Sequence, residues 1–178
     1  MRSLLAVTTM AMAALLLAVV ARSDVITIGH ARFDFDAPSP PLSAGEHELF
    51  QRFKDAVNKH DKAALMALQD SSIKRCTLVA HDVILRDLGT TIPDNAKVRF
   101  FASTGDIANE MGFGDLAYLS AQPTAVLGIM AKTGSEKELK SVTILRPVRQ
   151  VGNNRSLIPY CLTPKGAAIL EKKSKGQH

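Results

Sequence analysis

Residues 43–70 read SAGEHELFQRFKDAVNKHDKAALMALQD, and the spacing in this stretch decides the fold class. Ser43 stands three residues before Glu46, the separation of a capping box. The hydroxyl accepts from a backbone N–H at the helix start and the carboxylate reaches back to the cap N–H. Leu49, Phe50, Phe53 and Val57 then recur at helical spacing as one apolar stripe, while Arg52, Lys54 and Asp55 fall largely on the other side. Asn58-Lys59-His60-Asp61 breaks the pattern. Asp61 can cap a second, shorter helix whose Ala64, Leu65 and Leu68 face inward. Two consecutive helices with inward faces need a second layer to cover them.

That layer is read downstream. In AHDVILRDLG, Asp82 is a candidate cap for a short third helix that carries Ile84, Leu85 and Leu88 and stops at Gly89. TTIPDN (90–95) is a turn. KVRFFA (97–102) is the first convincing strand, followed by a Gly-rich polar stretch at 103–116 whose role the residues leave open. Residues 117–120 form a short strand. AVLGIMAK (125–132) is a near-continuous apolar run, a central strand in which Gly128 suggests a bulge or bend. LKSVTILRPVRQV (139–151) is a long strand bent at Pro147, a residue that cannot donate to a regular central ladder. Gly152-Asn153-Asn154 is a hairpin turn, and 156–161 returns as the last strand. Thr163-Pro164 opens a closing helix to about Lys173, with Ala167, Leu170 and Ile169 as its inward candidates.

Upstream, residues 4–21 are almost wholly apolar and follow Arg2. A basic start, an apolar run and small residues at its end make the pattern of a signal peptide over residues 1–23, with Val19-Val20-Ala21 and Ala21-Arg22-Ser23 both acceptable before the cut. The run is near the lower length limit for a membrane span, so an N-terminal anchor is the competing reading. The expected protein is exported, periplasmic or secreted. Residues 24–42 read as an extended lead-in, with VITI (25–28) either an edge strand or the start of the mature chain, and with three prolines stiffening 37–41. The domain proper is placed at 43–178.

The full chain of 178 residues carries a formal net charge of +5. Loss of Arg2 and Arg22 with the leader lowers this by two, to +3. The remaining basic residues are scattered, and there is no Trp. A nucleic-acid-binding face needs clustered cations and stacking aromatics, so no nucleic-acid partner is expected; Lys172, Lys173 and Lys175 read as a solvated helix end. Cys76 and Cys161 are the only cysteines. In an exported chain an even pair suggests a disulfide, with two separately buried thiols as the alternative. The pair lacks C-x-x-C spacing and His partners, so no metal site is expected.

The opening ELF-RF-DAVN, the polar joint and AALMAL, together with the ending SLIPYCLTPKGAAIL, resemble nuclear-transport-factor-2-like (SnoaL-like) domains, specifically exported bacterial members with no assigned function. The resemblance spans about residues 43–173. It implies an α+β fold: a curved antiparallel sheet wrapped around the N-terminal helices as a cone, closed by a C-terminal helix. It further implies an open-ended apolar cavity, a small apolar ligand or an envelope protein as partner, and a homodimer. Members of that superfamily include both enzymes and binding proteins, so fold alone does not choose between them.

Enzymes of that superfamily place an Asp or His base with Tyr or acid donors inside the cone. The candidate bases here are His81, Asp82 and Asp87; the candidate ligand contacts are Arg86, Tyr118, Tyr160, Phe101 and Met130. His81 and Asp82 are not a dyad by adjacency, because neighbouring helical side chains point about 100° apart. Asp82 has a simpler use as a cap, Arg86 and Asp87 as solvated charges, and Phe101 and Met130 as core. There is no G-x-S-x-G elbow, and GFG at 112–114 lacks the Lys and the strand-to-helix setting of a phosphate loop. No cofactor is expected. The reading is therefore a non-catalytic binding protein, with a small cofactor-independent isomerase, dehydratase or hydrolase as its alternative.

Overall fold

The computed structural model describes residues 24–103, 111, 115–133 and 140–175. The 1–23 leader, most of the 103–116 stretch and the turn at 134–139 lie outside the described residues. Two strands come first, β1 (Val25–Ile28) and β2 (Ala31–Asp34). The helices α1 (Ala44–Asn58) and α2 (Lys62–Ala67) follow, then a 3₁₀ turn at Ser71–Arg75, α3 (His81–Leu85) and a second 3₁₀ turn at Arg86–Gly89. The remaining strands are β3 (Lys97–Ala102), β4 (Ala117–Leu119), β5 (Ala125–Thr133), β6 (Lys140–Val151), β7 (Asn154–Leu157) and β8 (Tyr160–Leu162). Helix α4 (Pro164–Lys175) closes the chain. The fold is mixed α/β with antiparallel sheets and a short C-terminal helix; the main sheet is not strongly curled.

The caps form as the residues dictate. Ser43 and Glu46 make both halves of the capping box, and Asp61 Oδ1 accepts from Ala64 N–H at 2.9 Å. Between them His60 turns the chain with φ 53°. The α1 stripe of Leu49, Phe50, Phe53, Ala56 and Val57 is buried. Asn58 then acts as a substitute strand partner: its amide donates to Ile92 C=O and accepts from Ile92 N–H, at 2.9 and 2.8 Å. Asp82 does not cap α3. Ala80 occupies the cap position without a side-chain hydrogen bond, so Asp82 falls in the first turn.

The main sheet has the order β3-β5-β6-β7. Alternation along β5 assigns its two faces. Leu127 and Ile129 join Ile144, Val148 and Leu157 against α1 and α2 in one core. Val126 and Met130 face the other way and meet Phe33, Phe35, Met111 and Leu145 in a second. The lead-in segment thus supplies a layer of its own: β1 and β2 pair as a hairpin whose Phe33 and Phe35 rings meet Phe101 edge-on, each at 5.2 Å. Arg99, on the hairpin-facing side of β3, donates to the carbonyls of Asp34, Ala37 and Pro38 and fixes the Pro-rich strap that leads to α1.

Gly128 introduces no bulge. It pairs in continuous register with Arg99 and Leu145. Its missing side chain makes room for the aromatic cluster, since a Cβ there would lie 2.5 Å from the Phe101 ring and 2.9 Å from the Phe35 ring. Gly128→Ala should therefore destabilise the protein by about 1–3 kcal/mol through overpacking, although alanine is ordinarily the better strand residue. Urea unfolding with an unchanged m-value would check this; unaltered stability would show that the rings yield freely.

Pro147 does not break β6, which runs on through it paired to Val126. Pairing with β7 covers only Val148 to Val151, so the missing donor falls where that ladder has ended. The last strand is in fact two. Between β7 and β8 the chain passes Ile158-Pro159, and β8 leaves the main sheet to pair with β4. It also bridges Val79 through Cys161. In α4, Thr163 caps Gly166 N–H at 3.1 Å. Gly166 itself is buried against Leu116 C=O. Ile169, expected inward, is exposed at 37%, and the Leu170 side chain lies outside the described residues.

Candidate functional site

Burying an arginine on a sheet face demands a partner, because an unpaired charge in the interior is costly. Arg146 lies on β6 between Ile144 and Val148, on the helix-facing side, and its side chain is only 7% exposed. Its partner is Asp87, at 5% side-chain exposure, carried by the 3₁₀ turn that continues α3. Arg146 Nη2 also donates to Val83 C=O at 3.3 Å, and Nη1 to the carbonyl of Leu145 at 3.1 Å. The carboxylate contact is close, yet Asp87 Oδ2 has no well-directed hydrogen bond among the described residues. The charge is thus balanced more completely than the acceptor. Burial pushes the Asp87 carboxyl above the usual range, and the Arg146 charge only partly offsets it.

Tyr160, 4% exposed on β8, closes the same corner. Burial raises its phenol, against the opposing charges of Arg146 and Arg86. The space bounded by Gln69, Val83, Arg146, Ile158 and Tyr160 has a volume of about 10 Å³. That is room for one water at most. The disulfide lies next along β8: Cys76 and Cys161 are bonded, with Cα atoms 5.0 Å apart. It ties the end of the first 3₁₀ turn to the strand carrying Tyr160.

The structure therefore sorts the candidates into three places. Asp87 and Tyr160 come together, with Arg86 on the exposed side of the same turn. Asp87 is not a solvated charge. His81, Asp82 and Tyr118 are exposed, Tyr118 at 47%. Phe101 and Met130 sit across the sheet under the hairpin, so they share no cavity with Tyr160. Arg146 is the member that the list of candidates missed. Its signal was available: a cation at an inward position of the apolar run TILRPV implies a buried anion elsewhere.

A second feature is open to solvent. Between α1 and α2 runs a groove of about 350 Å³, floored by Ala56, Ala64, Ala67 and Leu68 and rimmed by Arg52, Asp55, Lys59 and Asp61. The rim charges pair loosely, Arg52 with Glu48 and Lys59 with Asp55, each at 3.8 Å and well exposed. Such pairs contribute little stability and yield readily. Asp61 is committed to capping α2. Beside the groove, the buried Asp70 closes the α2–β7 junction. Burial pushes its carboxyl up, but bonds from Ser72 and Ser156 and the Arg149 charge outweigh this and hold it below the usual range.

Among the described residues no three His, Cys, Asp or Glu side chains converge as metal ligands. None of their helices is long and apolar enough to cross a membrane. What fold and site define is a disulfide-linked α/β domain with a locked polar corner and an open groove between its first two helices. The chain matches no protein-family model, no curated protein and no solved structure.

Proposed function

We propose that the chain is an exported, non-catalytic binding domain that takes a small ligand with an apolar body in the α1–α2 groove. The observation that carries this is the contrast in space. The space beside Arg146 and Tyr160 is only about 10 Å³, while the groove offers about 350 Å³ over an alanine and leucine floor. The latter lies within the size range of small-molecule sites. An enzyme using Asp87 would need a substrate beside a carboxylate already held by Arg146. The disulfide is compatible with an oxidising, extracellular location and so supports export.

The same proposal accounts for the family resemblance. Helix, helix, short helix and then an antiparallel meander is the nuclear-transport-factor-2-like order. In this reading Phe53, Leu65, Leu127 and Ile129, all fully buried, fill the space that the family plan would leave as a cone-shaped cavity. Binding then moves outside, to the helix pair. Fluorescence titration with anilinonaphthalene sulfonate, an anion with an apolar body, tests it. Ala64→Trp should fill the groove and weaken binding at least tenfold, with the fold intact by circular dichroism. Saturable binding that ignores Ala64→Trp would refute the groove. Absence of any saturable binding, with an envelope protein retained by the wild-type chain but not by the variant, would replace the small ligand by a protein partner.

A further inference from the structure

The geometry points to the outer edge of β3 as a self-association site, where residues 98–102 pair antiparallel with the same strand of a second copy and join the two main sheets into one. The observation is a row of backbone groups facing outward. β3 ends the sheet order and has β5 on one side only. Its hydrogen-bond phase is set by Ser103 N–H, which donates to Thr124 C=O at 3.3 Å in continuation of the β3–β5 register. Bonded and non-bonded pairs alternate along an antiparallel ladder. Lys97, Arg99 and Phe101 therefore bond to β5, and the N–H and C=O groups of Val98, Phe100 and Ala102 point away from it. Among the described residues these outward groups have no backbone partner. At the β7 edge the chain supplies one: Leu157 N–H donates to Leu68 C=O, and Leu157 C=O accepts from Asp70 N–H.

A bare edge is a template for another strand, and proteins blunt it with free charge, proline, bulges or short length. β3 has six residues, no proline and an unbroken register with β5. Its two cations are engaged elsewhere. Lys97 is held by Asp24 and Asp36, and Arg99 by the carbonyls of Asp34, Ala37 and Pro38.

The strand is also complementary to itself, and that selects a second copy as the occupant. The outward groups bond one another about a two-fold axis when Phe100 faces the partner's Phe100. Val98 then faces the partner's Ala102, Arg99 the partner's Phe101, and Lys97 the partner's Ser103. Aromatic meets aromatic, cation meets ring, and no like charges stand directly opposite. The row on the helix side, Val98, Phe100 and Ala102, is apolar throughout. A slip of two residues one way sets Arg99 against Arg99. The same slip the other way pairs only residues 100–102. Such a contact uses one patch twice, the form a two-fold dimer requires.

The test takes the chain as recovered from an exporting bacterial host. Sedimentation velocity from micromolar to several hundred micromolar protein should show a monomer–dimer equilibrium, and a monomer throughout overturns the proposal. Ala102→Pro removes an outward N–H that β5 does not use, at an edge position where proline is tolerated. It should raise the dimer dissociation constant at least tenfold with an unchanged circular dichroism spectrum. A dimer that ignores Ala102→Pro has its interface elsewhere. Cysteines then read the register without depending on that variant's fold. Val98 and the partner's Ala102 form a bonded pair with Cα atoms about 5.5 Å apart, inside the disulfide range of about 4.4–6.8 Å. Val98→Cys protein mixed with Ala102→Cys protein should form a covalent dimer on air oxidation, faster than either variant alone. No such preference overturns the pairing. The groove plays no part in any of these readouts, so loss of dye binding there would leave them unchanged.

Discussion

Replacing Arg146 by methionine is expected to destabilise the protein by about 3–5 kcal/mol, the usual cost of stranding one member of a buried ion pair. The chain length of the side chain is nearly kept, so little of that loss comes from packing. What remains is the Asp87 carboxylate, 5% exposed, whose Oδ2 already has no well-directed hydrogen bond among the described residues. The double variant Arg146→Met with Asp87→Leu should recover most of the loss, because removing both charges removes the desolvation they carry. Chemical unfolding of the wild type, both single variants and the double variant gives the coupling directly. If Arg146→Met alone is neutral, the pair is not the closed corner described above.

The same pair sets a pH dependence. The folded Asp87 carboxyl lies above its ordinary value because burial outweighs the Arg146 charge. A raised acid stabilises most below the ordinary carboxylate range, and that contribution is lost as pH rises through the raised value. Without Arg146 the value rises further. The deficit of Arg146→Met relative to wild type should therefore be large at neutral pH and shrink as the pH is lowered through the variant's raised value. A deficit that stays constant across that window would assign the loss to packing.

Loss of the disulfide should be the other large effect. Cys76 and Cys161 are 85 residues apart in sequence. The chain-entropy model assigns a loop of that size about 4–5 kcal/mol, an upper figure because residual structure in the unfolded chain reduces it. The bond also closes a corner that has few other ties. Val79 makes a single bridge to Cys161, and the Ala80 and Leu162 N–H groups donate to Tyr160 and Leu78 carbonyls at 2.8 Å. Cys76→Ser with Cys161→Ser, or reduction of the wild type, should lower the thermal midpoint by about ten degrees. Reduction should not alter the double variant at all. Mass spectrometry of a non-reduced digest should find the two peptides joined, and free thiols in protein from its native compartment would end the assignment.

Most local structure was legible in the sequence because its causes are local. The capping box at Ser43 and Glu46, the Asp61 cap, the Thr163 cap and the stripe on α1 all depend on residues within four positions of one another. The strands at 97–102 and 125–133 announced themselves by β-branched and aromatic runs. The cysteine pair was legible for a different reason: the sequence holds just two cysteines, so a disulfide within the chain has only one possible pairing. Asp87 and Tyr160 were nameable as an acid and a phenol. That they sit together with Arg146, and that Phe101 and Met130 sit on the far side of the sheet, depends on strand register and on which face each residue presents. Those are properties of pairing between distant segments. Gly128 and Pro147 suggested local defects; tertiary packing gave one the room for two phenylalanine rings and placed the other where a ladder had already ended. The hairpin at 25–34 was hardest to see. Its strands are four residues each, and their stability comes from Phe101, Arg99, Lys97 and Lys132, which lie more than sixty residues downstream. A sequence fixes which segments can be helix or strand. Which face each buries, and whether the space between them is open or filled, is decided only when the layers meet.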